Sequence, residues 1–168
     1  KSTDTGSSWD NATSPTSNNL SGVTFGNNTF VGVGSSGTIV KSTDTGSSWD
    51  NATSPTSNNL YGVTFGNNTF VTVGYAGTLL TSSDGTSWTS RTSDTTKRLE
   101  SVTYGNGTFV AVGELGTIQT SSDGTTWTSR TGVTSNYLYG IIYENNSFVT
   151  VGQGGTILTS TDGISWTS

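Results

Sequence analysis

Apolar residues in this chain come in short runs separated by glycine, asparagine and serine, and the runs recur at a fixed spacing. A leucine opens each set, at Leu20, Leu60, Leu99 and Leu138. Strand A follows at Gly22–Phe25, Gly62–Phe65, Ser101–Tyr104 and Gly140–Tyr143. Strand B is Phe30–Val33, Phe70–Val73, Phe109–Val112 and Phe148–Val151. Between A and B stand Gly-Asn-Asn, Gly-Asn-Gly or Glu-Asn-Asn, and Asn and Gly tolerate the positive φ of tight hairpin turns. Each strand B ends at a glycine (Gly34, Gly74, Gly113, Gly152), and a two-residue turn leads to a second one before strand C. β-branched runs of this length between such turns predict an all-β meander. No segment carries helical periodicity.

Strand C runs into Ser-x-Asp-x-Gly-x-Ser-Trp, clearest at Ser42–Trp49. The motif stands first at Ser2–Trp9 and, one residue shorter, at Ser82–Trp88, Ser121–Trp127 and Ser160–Trp166. Its tryptophans lie 40, 39, 39 and 39 residues apart and lead into strand D. One four-stranded repeat of about 40 residues cannot cover both its faces, so neighbours must stack. Radial stacking gives a β-propeller of four-stranded antiparallel blades. The reading is one domain, 1–168. It has an N-terminal D strand at 1–13 and repeats at about 20–53, 60–92, 99–131 and 138–168. Whether four blades stand alone or belong to a larger ring or array stays open.

Five D strands serve only four A-B-C sets. The first copy can clasp the last blade and leave Ser165–Thr167 redundant, mark a window cut from a longer array, or pair with a neighbouring chain. Either way it is expected to lie on strand C of another repeat. Residues 1–31 and 41–71 are identical except for Ser21 against Tyr61. Such near-identity favours blades that serve as stacking units over blades that share out a catalytic site.

The Ser-x-Asp-x-Gly-x-Ser-Trp stretch resembles the Asp-box of BNR-repeat proteins, a family of sialidases and many non-catalytic propellers. The resemblance implies a structural role for Asp4, Asp44, Asp84, Asp123 and Asp162, which would cap turn amides. It implies that Trp9, Trp49, Trp88, Trp127 and Trp166 pack on the sheet. Calcium at the aspartates is a weaker alternative, because no second carboxylate recurs at ligand spacing.

Composition narrows the function. The chain has 168 residues, enough for a real core, with 23 glycines, 29% apolar and 10% charged residues and a net charge of -5. There is no Cys, His or Met, so no thiol nucleophile and no imidazole base or ligand is available. Six Lys plus Arg without a basic cluster give no footprint for nucleic acid, and no run is long enough to insert in a membrane. A surface of Ser, Thr and Asn suggests an extracellular or cell-surface protein. The start at Lys1 reads as a processed form or a piece of something longer. A sialidase needs an arginine triad facing the channel. Arg91 and Arg130 instead fall at the end of strand D and Arg98 in a D–A linker, so no enzyme, metal or cofactor is expected.

Residues that vary among repeats gather on the side of the B–C turns and D–A linkers. They make a candidate ligand face of Tyr61, Tyr75, Glu114, Tyr139 and Gln153, with Ser21, Glu100 and Tyr137 nearby. Exposed tyrosines stack on sugars or partner surfaces, although loops also drift for lack of constraint. Asn-x-Ser/Thr sequons stand at Asn11, Asn27, Asn51, Asn67, Asn106 and Asn145. They are candidate N-glycosylation sites, or simply what such turns need. The expected function is a non-catalytic structural or adhesive module that assembles with itself through an unpaired terminal strand, into an oligomer or filament. A lectin-like propeller binding glycans or proteins is the alternative.

Overall fold

Four antiparallel meanders follow one another in a computed structural model that describes residues 1–130 and 133–168. Blade 1 contains β1 (Leu20–Gly26), β2 (Thr29–Gly34), β3 (Ile39–Ser42) and β4 (Asp50–Asn51). Blade 2 contains β5 (Leu60–Gly66), β6 (Thr69–Gly74), β7 (Leu79–Ser82) and β8 (Thr89–Arg91). Blade 3 contains β9 (Leu99–Gly105), β10 (Thr108–Gly113), β11 (Ile118–Ser121) and β12 (Thr128–Arg130). Blade 4 contains β13 (Leu138–Glu144), β14 (Ser147–Gly152) and β15 (Ile157–Ser160), and a lone bridge between Thr159 and Thr167 holds its fourth position. Thr131, where the third repeat was expected to end, lies outside the described residues.

The turns follow from the residues that fill them. Asn27 and Asn28 take φ of 46° and 58° between the paired ends Gly26 and Thr29. Two successive left-handed residues match the twist of the flanking strands, which is why Asn and Gly recur there. The B–C turn needs two left-handed residues in a row, Ser36, Ala76, Leu115 or Gly154 followed by Gly37, Gly77, Gly116 or Gly155.

The A strands stand side by side, β1 on β5, β5 on β9 and β9 on β13, with the D strands outermost. Period-two alternation gives each blade two apolar faces. The face toward the following blade carries Val71, Val73 and Leu79 in blade 2. The face toward the preceding blade carries Leu99, Val102, Phe109 and Trp127 in blade 3, and together these close one core. Equivalent residues build the other two, Val31, Val33 and Ile39 against Leu60, Phe70 and Trp88, and Val110, Val112 and Ile118 against Leu138, Ile141, Phe148 and Trp166. The hydrophobic cores are thus the interfaces between blades.

Residues 1–13 differ from the expected D strand, because they form no strand. A D strand needs a strand C beside it, and among the described residues none lies beside this segment. Trp9 is 75% exposed. Trp166 is buried in the core between blades 3 and 4, and Thr167 pairs with β15. The last copy is therefore not redundant, and the first does not clasp blade 4.

Candidate functional site

The C–D loops are built from the Ser and Asp that precede each glycine. Ser42 Oγ donates to Asp44 Oδ1 at 2.7 Å and accepts the Gly46 amide at 3.0 Å. The Ser47 and Ser48 amides donate to the Asp44 carboxylate at 3.0 and 2.9 Å. Charge-assisted bonds of this kind favour the ionised acid. The Ser48 amide, followed by its hydroxyl, holds Asp44 well below the usual carboxylate range. In the N-terminal copy the Ser8 hydroxyl and then its amide lower Asp4 to about 2. Backbone amides depress the shorter copies, those of Ser87 and Thr86 at Asp84, Thr126 and Thr125 at Asp123, and Ser165 and Ile164 at Asp162.

Among the described residues, only the shorter loops tie the indole down. Trp88, Trp127 and Trp166 donate Nε1–H to the carbonyls of Gly85, Gly124 and Gly163 at 3.1, 2.8 and 3.1 Å. Trp49 follows the longer loop and is half-buried.

The variable residues converge on the side of the B–C turns. The first residue of each turn donates its amide to the residue before a strand A: Ser35 to Asn19, Tyr75 to Asn59, Glu114 to Arg98 and Gln153 to Tyr137, at 2.7 to 2.9 Å. Each bond closes its own blade, and the adjacency of β5, β9 and β13 brings side chains of blades 2, 3 and 4 to one place. Arg98 forms an ion pair with Glu100, and its guanidinium lies 5.1 Å from the Tyr61 ring and 5.8 Å from the Tyr137 ring. Tyr137 stacks on Tyr139 at 6.2 Å. Burial alone would lower the Arg98 guanidinium, but the Glu100 carboxylate and then Tyr61 act against it and the net shift is upward. The Arg98 amide, followed by the Tyr137 hydroxyl, lowers Glu114, while burial and then Glu114 raise Tyr137.

Of the five residues proposed as a ligand face, Tyr61, Glu114 and Tyr139 belong to this cluster. Tyr75 stands exposed at its own turn, and Gln153 touches the cluster through its backbone. Sequence reading missed the central position of Arg98. The only signal was its place immediately before strand A, beside a turn whose first residue is acidic. Arg91 and Arg130 have other work, donating Nε–H to Thr81 and Thr120 at 2.8 Å.

The sequons divide by position. Asn27, Asn67, Asn106 and Asn145 sit on A–B hairpins with φ of 46° to 49°, whereas Asn11 lies in the strandless N-terminus and Asn51 on β4. The Asn106 side-chain amide donates to the Thr161 carbonyl of the next blade at 3.4 Å.

Two apolar faces are left open at the ends. On blade 1, Leu20, Val23 and Phe25 are 47%, 66% and 54% exposed, although Leu60, Leu99 and Leu138 are fully buried at the position of Leu20. Leu20 and Val23 border a groove of about 260 Å³ that Ala12, Val40 and Trp49 also line. On blade 4, Ile142, Val151 and Ile157 are exposed, while Val33, Val73 and Val112, at the position of Val151, are buried.

No protein-family model matches the chain, and no curated protein is similar to it. Among solved structures it is similar to "YCF48 bound to D1 peptide", with 21% identity and a TM-score of 0.72 over 90% of this chain and 53% of that one. It is similar to YCF48 from Cyanidioschyzon merolae, with 18% identity and a TM-score of 0.71 over 93% of this chain and 57% of that one. It also resembles the computationally designed Ika4 protein, with 16% identity and a TM-score of 0.70 over 86% of this chain and 92% of that one. The chain thus spans little more than half the length of the YCF48 chains. Together with the four meanders, these likenesses establish the fold as a β-propeller scaffold of about four blades.

Proposed function

We propose that the chain is a non-catalytic extracellular structural module, related to the Asp-box propellers, that assembles with its own copies end to end. One observation carries the reading: the two open faces present the residues that meet at the three internal cores. Joining the open face of blade 1, the donor face, to the open face of blade 4, the acceptor face, is a heterologous contact, which closes into a ring or grows into a filament. The N-terminal copy of strand D adds a second element. Thr159–Thr167 is the lone pair holding blade 4's fourth position, against three pairs between β11 and β12. In an end-to-end pair, residues 1–13 of one copy would compete for that position on the other. Sedimentation velocity over a hundredfold concentration range tests the assembly, with negative-stain images to separate rings from filaments. Oligomers sensitive to Val151→Asp are expected; a monomer at every concentration would sink the reading.

A second reading rests on the Arg98 cluster. Half-buried and exposed tyrosines around a neutralised arginine suit a peptide or sugar partner. A neighbour of the same fold is described as bound to a peptide, which supports a peptide first. Peptide and glycan arrays test it with Tyr61→Ala and Tyr139→Ala. Undiminished binding by both would remove the cluster from the site. The sequons are proposed as glycan attachment points, and an intact mass equal to the bare chain after secretion from a glycosylating host would dismiss them.

A further inference from the structure

The end of strand A differs in blade 4. Gly26, Gly66 and Gly105 occupy this position in blades 1 to 3, and Glu144 occupies it in blade 4. The three glycines are required by what covers them. A Cβ on Gly26 would overlap the ring of Phe65 in the next blade, one on Gly66 the ring of Tyr104, and one on Gly105 the ring of Tyr143. Carbon atoms in contact need about 3.5–4.0 Å, and none of these sites leaves that room. Each ring is tied to its own blade, Phe65 lying 4.6 Å from Phe70 and Tyr104 4.5 Å from Phe109.

The rest of the acceptor face is intact in blade 4. Gly140 stands where Gly22 does, and a Cβ on Gly22 would come within 3.0 Å of the Tyr61 carbonyl. Val149, Val151 and Ile157 match Val31, Val33 and Ile39 of the first core. The donor face of blade 1 is complete, with Phe25 held 4.6 Å from Phe30. A second copy placed on blade 4 in the geometry of the internal interfaces therefore meets a matching surface with one obstacle. Its Phe25 ring falls where Glu144 carries a Cβ.

We propose that Glu144 is a brake on end-to-end association, keeping contact between copies weaker than contact between blades of one chain. The inference rests on the end-to-end reading above. The obstruction lies in the Cβ rather than the carboxylate, so a small side chain obstructs as a large one does, and only glycine restores the fit.

Sedimentation of the full chain separates the possibilities. E144G should self-associate at least tenfold more tightly than the wild type, and V151D should abolish this. E144A and E144Q should stay near the wild type, because both retain the Cβ. An E144A variant as tight as E144G would overturn the steric inference. A wild type that associates through Val151 while E144G gains nothing would also overturn it and leave the end-to-end reading standing. No association by either the wild type or E144G would overturn both.

Discussion

Phe30 and Phe109 occupy one position of the repeat and differ in whether a preceding blade covers them. Their surroundings within the blade match. Phe30 lies 4.6 Å from Phe25 and 6.4 Å from Trp49, and Phe109 lies 4.5 Å from Tyr104 and 6.4 Å from Trp127. Phe109 is fully buried against Val71 and Val73 of blade 2, whereas Phe30 is half-buried. Removing a buried phenyl ring loses its transfer energy and leaves a cavity, costing about 3–5 kcal/mol. At Phe30 water already reaches the ring and fills the space, so the cavity cost largely drops out and about 1–2 kcal/mol remains. For a domain of this size 1 kcal/mol lowers Tm by roughly 2–4 °C. Phe109→Ala should therefore melt about 8–15 °C below the wild type, and Phe30→Ala about 3–6 °C below. Far-UV circular dichroism on dilute protein, with urea titrations to compare midpoints, makes the measurement. Equal losses would refute the claim that the blade interfaces are the cores and that blade 1 has an open face.

Other consequences can be checked on the same protein. Asp44, Asp84, Asp123, Asp162 and Glu114 have depressed pKa values in the fold, so their stabilisation is present above the ordinary carboxylate range and is lost as pH falls through the depressed values. Calorimetry should give a Tm steady above about pH 5 that drops below about pH 4, less steeply in an Asp84→Asn, Asp123→Asn double variant; a parallel drop in both proteins would refute this. Gly66→Ala drives a methyl into the Tyr104 ring and should cost about 1–3 kcal/mol. Combined with Tyr104→Ala it should cost less than the sum, which a double-mutant cycle reads directly. Arg98→Ala removes a cation held against two tyrosine rings and should cost about 1 kcal/mol by urea midpoint, with Arg98→Lys recovering part.

Much of the fold was legible because each strand is bounded by a residue that must be where it is. Asn27-Asn28 announces a hairpin, and the tryptophan spacing counts blades. What could not be read is how one blade meets the next. Arg98 and Tyr61 lie 37 residues apart, as do Phe65 and Asn28, and only the rotation between blades decides which pair touches. The glycine before each of the first three A–B turns reads locally as turn chemistry; its second role, making room for an aromatic ring, appears only when the neighbour is in place. The departure at Glu144 was visible as a letter and silent as to consequence. The strand expected at residues 1–13 failed for the same reason: the motif specifies its loop, but a strand exists only beside a partner.

The near-identity of residues 1–31 and 41–71 has a kinetic side. Asp10-Asn11 and Asp50-Asn51 are the same dipeptide in the same context, and β3 pairs with the second through Val40–Asn51 and Lys41–Asp50. While the chain folds, β3 faces two chemically indistinguishable suitors. Side-chain preference cannot choose between them; only loop length can. Closing the roughly threefold longer loop costs about 1 kcal/mol more, so the local partner leads by only about fivefold. A fraction of molecules will first seat the wrong copy and must release it before blade 2 can add, so repetition that makes the architecture easy to extend also makes it slow to proofread.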